Sequence, residues 1–229
     1  MQNPSKEQWQ AAKRIIACLN GSKEKGLVYK KSKTWPKDAT LLDKLKDLRI
    51  TVHTDSDWAQ DKNGRKSTSG YLMYLNDNLI DWASKKQRVV AQSSCEAELI
   101  AATTAMKQVK CLQKVMHEMI TIAESRKQNR HPSEKDKSSD NPNNDETERF
   151  ETKVKCWMDS QSAMHAIENG DFTGKLKHIE TRYYYLADEM EKGRFTLAFI
   201  KGTDNPADLM TKPVTKKVWR ELIHNILHD

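Results

Sequence analysis

The stretch Ser93-Ser94-Cys95-Glu96-Ala97-Glu98-Leu99 constrains the chain most, because it opens the longest apolar periodicity on a carboxylate. From Leu99 the apolar residues fall at Ala102, Ala105, Val109, Leu112, Met116 and Met119. Those steps of three and four draw one stripe along a helix of about six turns. Ser93 and Glu96 have the spacing of a capping box, in which each side chain satisfies a free backbone N–H of the first turn. Glu98 lies at the edge of the stripe, one turn in, where the helix dipole favours an ionised carboxylate. A charge held against a core wall calls for partners. The candidates are Asp55, Asp159 and Asp208, each at the end of a strand or the start of a helix.

The rest of the chain supplies strands on which these groups can meet. Arg49 to Asp55 alternates, with Ile50, Val52 and Thr54 on one face and Thr51, His53 and Asp55 on the other. Ser67–Leu75 and Leu79–Ser84 read as strands joined across Asn76-Asp77-Asn78, a hairpin signal. Val154 to Asp159 is a strand ending on an aspartate, followed by a helix at 160–169 stopped by Gly170 and another at 176–192 stopped by Gly193. Phe195 to Ile200 is a last strand; Asn205-Pro206 caps a helix carrying Asp208, and Val218, Trp219, Leu222, Ile223 and Ile226 mark a final amphipathic helix. The order β-β-β-α-β-α-α-β-α predicts an α/β fold, an antiparallel meander extended by right-handed crossovers into a mixed five-stranded sheet flanked by helices. In such a sheet the fourth strand can lie beside the first, with Asp55 and Asp159 side by side at their carboxyl ends.

Two segments stand apart from this core. Ahead of it, Asn3-Pro4 reads as a helix start with Pro in the first turn, Trp9, Ala12, Ile15, Ile16 and Leu19 as a helical stripe, and Gly26–Tyr29 as a short strand. This helix and strand, with nothing nearby to pack on, predict the tail of a preceding domain, 1–46, before a core at 47–213 and a C-terminal helix at 214–229. The net charge of +7 resides entirely in residues 1–49, which hold twelve Lys/Arg against five Asp/Glu. That basic flank is suited to a polyanion, and equally to a solvated tail. Residues 125–149 contain no aliphatic or aromatic side chain, and are expected to be a disordered insertion.

Composition excludes several classes. In 229 residues that are 37% hydrophobic and 31% charged there is no apolar run of membrane-spanning length, so no membrane partner is expected. Met1 is not followed by a signal-peptide pattern. Cys18, Cys95, Cys111 and Cys156 show no CxxC spacing and read as reduced, mostly buried thiols rather than a zinc site.

Four converging carboxylates repel one another and shift upward in pKa unless cations neutralise them. Mg²⁺, a hard oxygen-seeking ion, is the natural occupant, with Mn²⁺ as a substitute. Two such ions would suit phosphodiester hydrolysis. Each aspartate taken alone also reads as a cap or turn residue, and at this level both readings stand.

The motifs add a resemblance. His53-Thr54-Asp55-Ser56-Asp57-Trp58-Ala59, Arg65–Tyr71, Ser84-Lys85-Lys86-Gln87, Ser93–Glu98, Asp159-Ser160-Gln161-Ser162-Ala163, Lys177-His178-Ile179 and Ala207–Pro213 occur in the order of the ribonuclease H domain of copia-type retrotransposon Pol polyproteins, which the chain resembles over residues 50–213. Residues 3–29 look like the end of the reverse transcriptase segment that precedes that domain. The resemblance implies a ribonuclease H-like fold and cleavage of the RNA strand of an RNA–DNA hybrid during reverse transcription. It implies the reverse transcriptase of the same polyprotein as a partner, and a cytoplasmic site within a virus-like particle, with the nucleus as an alternative. The oligomeric state stays open.

On this resemblance the metal-binding and catalytic carboxylates are Asp55, Glu98, Asp159 and Asp208, while Asp57 and Glu96 are decoys. Gln161 takes the place of a glutamine that touches RNA in cellular enzymes, and Ser93 that of a hydroxyl residue that binds DNA phosphate. Ser93 also reads as a helix cap, and Gln161 as an exposed first-turn residue. Lys201-Gly202-Thr203 stands where cellular enzymes commonly carry a mobile histidine; His178 is the substitute. Only Asp171–Lys177 joins the two helices after the fourth strand, too short for the basic protrusion that grips hybrid in some cellular enzymes. The runner-up reading is a non-catalytic module, domesticated or degenerate, serving as a connection or binding domain; an integrase of the same fold class fits the Arg65–Tyr71 and Glu96–Glu98 motifs less well.

Overall fold

The computed structural model describes residues 5–31, 35–36, 38–130, 153–169 and 180–228; the side chains of 46, 127–130, 153 and 180–183 fall outside that description. Five strands form one sheet: β1 (Arg49–Asp57), β2 (Thr68–Leu75), β3 (Asn78–Lys86), β4 (Lys153–Met158) and β5 (Thr196–Phe199). Their order across the sheet is β3-β2-β1-β4-β5. β1, β2 and β3 pair antiparallel, and β4 and β5 add parallel to β1. This is the mixed five-stranded sheet, an antiparallel meander extended by parallel strands, that the alternation and crossovers predicted. The β2–β3 turn has positive φ at Asn76 and Asp77, the backbone that a two-residue hairpin with right-handed twist requires.

Alternation divides the sheet into two faces. Ile50 and Val52, Tyr71 and Met73, and Val154, Cys156 and Met158 point to one side, where α3 (Ser94–Arg130), α4 (Gln161–Asn169) and α5 (Glu180–Glu191) cover them. Leu99, Ala102, Ala105, Val109 and Met116 of α3 fill this core, and each fully buried large side chain contributes about 1.5–3 kcal/mol. α5 is fastened to α3 through the buried Glu189, which accepts from Lys110 Nζ at 2.7 Å and Arg194 at 2.6 Å. Leu72, Tyr74 and Leu79 point to the other side and pack against Leu27, Met210 and Ile226. There lie α6 (Asp208–Thr211), which contacts β1 and β2, and α7 (Lys216–Ile223).

Several expectations shift. α3 spans 37 residues rather than about six turns, and its stripe passes from Met116 to the buried Ile120, leaving Met119 exposed. The helix continues through Arg130, six residues into the stretch expected to be disordered; 131–149 lies outside the described residues. The first helix, α1 (Lys6–Gly21), is capped by Ser5 in a complete box with Gln8, instead of starting on Asn3-Pro4. The Gly26–Tyr29 segment does find a surface. Gly26 exchanges two backbone hydrogen bonds with His228, and the Asn78 amide brackets the backbone of Lys30. Leu45 of α2 (Leu41–Lys46) is buried, with α2 in contact with α3. Of the thiols, Cys156 is buried and Cys95 half-buried, but Cys18 and Cys111 are exposed. No helix among the described residues is long and apolar enough to cross a membrane.

Candidate metal centre

The parallel register pairs His53 of β1 with Trp157 of β4. Two residues further along each chain stand Asp55 and Asp159, so the crossover sets them level at one end of the sheet. Glu98 arrives from the second turn of α3, above the same end. Its Oε1 accepts from the Ser56 backbone N–H at 3.1 Å and the Ser56 hydroxyl at 2.9 Å, which pins the carboxyl to β1. Its other oxygen, Oε2, is buried without a hydrogen-bond partner. Asp55, Glu98 and Asp159 each offer an oxygen within 4.8 Å of the others.

Asp208 approaches on the other face. Buried Asn205 holds this corner: its Nδ2 donates to the Thr54 carbonyl at 2.9 Å, and its Oδ1 accepts from the Ala207 N–H at 3.1 Å. The approach of α6 depends on Gly70, which pairs with Asp55 across β1 and β2. A Cβ at Gly70 would lie 2.6 Å from both Met210 Cβ and Thr211 Cγ2. Gly202 plays the same part in the loop after β5, where a Cβ would stand 2.8 Å from an Asp159 oxygen. Asp208 does not join the three-carboxylate cluster directly. Lys212, one turn on, puts its ammonium 3.4 Å from Asp55 and 3.0 Å from Asp208. Thr211 donates its hydroxyl to the other Asp55 oxygen.

Electrostatics follow from this crowding. Burial, then the charges of Asp55 and Asp159, push the Glu98 carboxyl up to about 8. Burial and Asp55 also raise Asp159, and they carry Asp208 up to about 6 against the pull of Lys212. Burial alone would lower Lys212, but Asp55, Asp208 and Asp159 outweigh it and raise the ammonium. The cluster is thus an anionic pocket that takes protons when no cation is present. An all-oxygen donor set with a buried, unpartnered Glu98 oxygen suits a hard divalent ion.

The remaining sequence candidates divide. Asp57 accepts the Thr68 backbone N–H in the β1–β2 ladder. Glu96 accepts the Gln92 N–H at 2.6 Å, one residue short of a reciprocal box, while Ser93 Oγ accepts the Glu96 N–H at 3.1 Å and so caps α3. Gln161 is exposed at the start of α4, two residues past Asp159. His178 lies outside the described residues. Sequence reasoning missed Thr211 and Lys212. The signal was present, since Lys212 stands four residues after Asp208, the helical spacing that brings opposite charges together.

Comparison with known proteins gives this geometry a setting. No family model matches the chain. A retrovirus-related Pol polyprotein from transposon TNT 1-94 of Nicotiana tabacum is 30% identical over 216 residues, 94% of this chain. The corresponding polyprotein from transposon RE1 of Arabidopsis thaliana is 26% identical over 226 residues, 99% of this chain. The chain spans 13% of the length of each. Among solved structures, LC11-RNase H1 isolated from compost superposes with a TM-score of 0.46 at 14% identity, covering 71% of this chain and 92% of that one. Along nearly its whole length, then, this chain is a homologue of one segment of copia-type retrotransposon Pol polyproteins.

Proposed function

We propose that the chain is the ribonuclease H unit of such a polyprotein, a divalent-cation-dependent endonuclease that cuts the RNA strand of an RNA–DNA hybrid. The observation that carries this reading is the convergence of Asp55, Glu98 and Asp159 at one end of the sheet, with Asp208 across Lys212. These four carboxylates would hold Mg²⁺, or Mn²⁺ in its place. The bound ions would supply activation of the attacking water and stabilisation of the leaving oxygen.

The chain's own groups prepare the site. Ser56 fixes one Glu98 oxygen and leaves the other free to ligate. Thr211 holds Asp55 in one orientation. Lys212 offsets part of the negative potential that an approaching phosphodiester meets, so the phosphate is not simply repelled. Gly202 keeps the loop after β5 close enough to wall off Asp159. Residues 1–46 are read as the tail of the reverse transcriptase segment, and the bare apolar stripe of α1 supports a neighbour there. The setting is the cytoplasmic particle in which reverse transcription takes place.

The test is to incubate the full chain with labelled RNA–DNA hybrid, duplex DNA and duplex RNA, with and without Mg²⁺. The expected result is endonucleolytic cutting of the RNA in the hybrid alone, abolished by chelation and supported by Mn²⁺. Binding of hybrid with no cutting under either metal would instead establish the non-catalytic module.

A further inference from the structure

The body of the chain beyond residue 49 is neutral overall, yet it is not evenly so. A groove of about 330 Å³ opens between the end of β3 and α3, lined by Lys85, Lys86, Arg88 and Lys107 with no acidic residue in its wall. Lys86 is held by Asp61 at 3.0 Å. Lys85, Arg88 and Lys107 are exposed and form no ion pair among the described residues. Three unpaired cations side by side raise their own potential, an arrangement that gains stability only when an anion arrives.

The floor of the groove points to more than a counterion. Gln87 is buried, its Nε2 donating to Ser69 Oγ and to the Ala97 carbonyl at 2.9 Å each. Its Oε1 is buried without a hydrogen-bond partner, so the two bonds of Nε2 fix this side chain in the wall. The volume is at the small end of ligand pockets, roughly 300–1,000 Å³, room for one nucleotide unit. Beside it stands the indole of Trp58, half exposed, its Nε1 donating at 3.0 Å to the carbonyl of Ala91, two residues past the groove wall at Val89. Trp58 directly follows β1, the strand that carries Asp55. An exposed aromatic next to unpaired cations is the pairing that nucleic-acid strands use, stacking on one and setting phosphates on the other.

We propose that this groove is a second nucleic-acid contact, which holds one sugar–phosphate unit of the bound hybrid away from the carboxylates. Lys85, Arg88 and Lys107 take the phosphate, and Trp58 carries the neighbouring residue along the path to the metal centre. The inference rests on the hybrid-cleaving reading, and places the grip in the folded body rather than in the basic residues 1–49.

The experiment measures hybrid binding by the full chain in chelator, from 50 to 200 mM salt. The variant Lys85→Gln/Arg88→Gln/Lys107→Gln is set against a charge-matched variant of α1 and its flank, Lys13→Gln/Arg14→Gln/Lys23→Gln. All three groove residues are exposed, so the fold is expected to survive, as a thermal melt would show. The groove variant should bind about tenfold more weakly at low salt, with the log–log salt slope shallower by about one, because the one lost phosphate contact releases about one counterion fewer. The charge-matched variant should leave the slope and the low-salt affinity unchanged within error. Equal changes in the two variants, or an unchanged slope in the groove variant, would overturn the groove while leaving the cleavage reading intact. If the unaltered chain binds no hybrid at all, the function itself fails, and the two failures are thereby told apart.

Discussion

Two helices in this chain carry almost the same apolar rhythm and meet opposite fates. In α1, Trp9, Ile15, Ile16 and Leu19 form a stripe at helical spacing, and the N-terminus has a complete capping box. Yet no residue of α1 is buried, and those four side chains are 60–67% exposed. In α3, where the box is incomplete, Leu99, Ala102 and Ala105 are 0–1% exposed and Glu98 is pinned to β1. Capping and periodicity report a helix's readiness to fold and to bury one face. They do not say what that face will meet. The sheet supplies the answer for α3; nothing among the described residues does so for α1.

The comparison can be pressed hardest at Glu98. Glu98→Gln keeps the side chain's size and removes one charge from the candidate metal centre, and the proposed hybrid cleavage should fall at least about a hundredfold, measured at saturating Mg²⁺. The neighbouring Glu96→Gln, whose carboxylate only caps, should retain most activity. If the Glu96 variant is the dead one, the separation between cap and site is wrong.

Core packing comes next. Leu99→Ala in α3 should cost about 2–5 kcal/mol in denaturant unfolding, a transfer loss plus a cavity. A loss under 1 kcal/mol would mean that α3 is no more anchored than α1.

A smaller effect concerns pH. Without metal, Glu98 titrates near 8 in the folded chain and near its ordinary 4.5 when unfolded. Between those values the folded state binds the extra proton, so each rise in pH favours unfolding. Stability of the metal-free protein should therefore decline as pH climbs from about 5 to 8 and level off above. Added Mg²⁺ should remove the decline, because a bound cation favours the ionised carboxyl. Thermal melts across that range, in chelator and in Mg²⁺, check both signs; a metal-free stability that rises toward pH 8 would contradict the Glu98 environment.

The smallest expected effect is in α1. Ile16→Ala should change global stability by less than about 0.5 kcal/mol, as for an exposed position without partners. A loss comparable with that of Leu99→Ala would show that the stripe is buried in solution and would erase the contrast.

Much was legible from the chain alone. The alternation of β1 and β2, the Asn76-Asp77 turn and the stripe of α3 are set by neighbours a few residues apart, and those local rules act the same way in the folded protein. The positions of Asp55, Asp159 and Asp208 at element ends could be read for the same reason, and the quoted motifs suggested the common purpose proposed for them. What the sequence could not rank was contact across distance. Asp55 meets Thr211 and Lys212 over more than 150 residues, and that encounter needs the parallel placement of β4, the latch of Asn205 on Thr54, and the missing Cβ of Gly70. Likewise the strand at Gly26 had no visible partner until the chain's far end, at His228, came round to pair with it. Periodicity determined which faces were apolar and which ends were acidic. Only packing decided that a lysine would stand between two of the acids, because its charge is held there by the approach of α6 to β2 and not by any residue near it in the chain but Asp208.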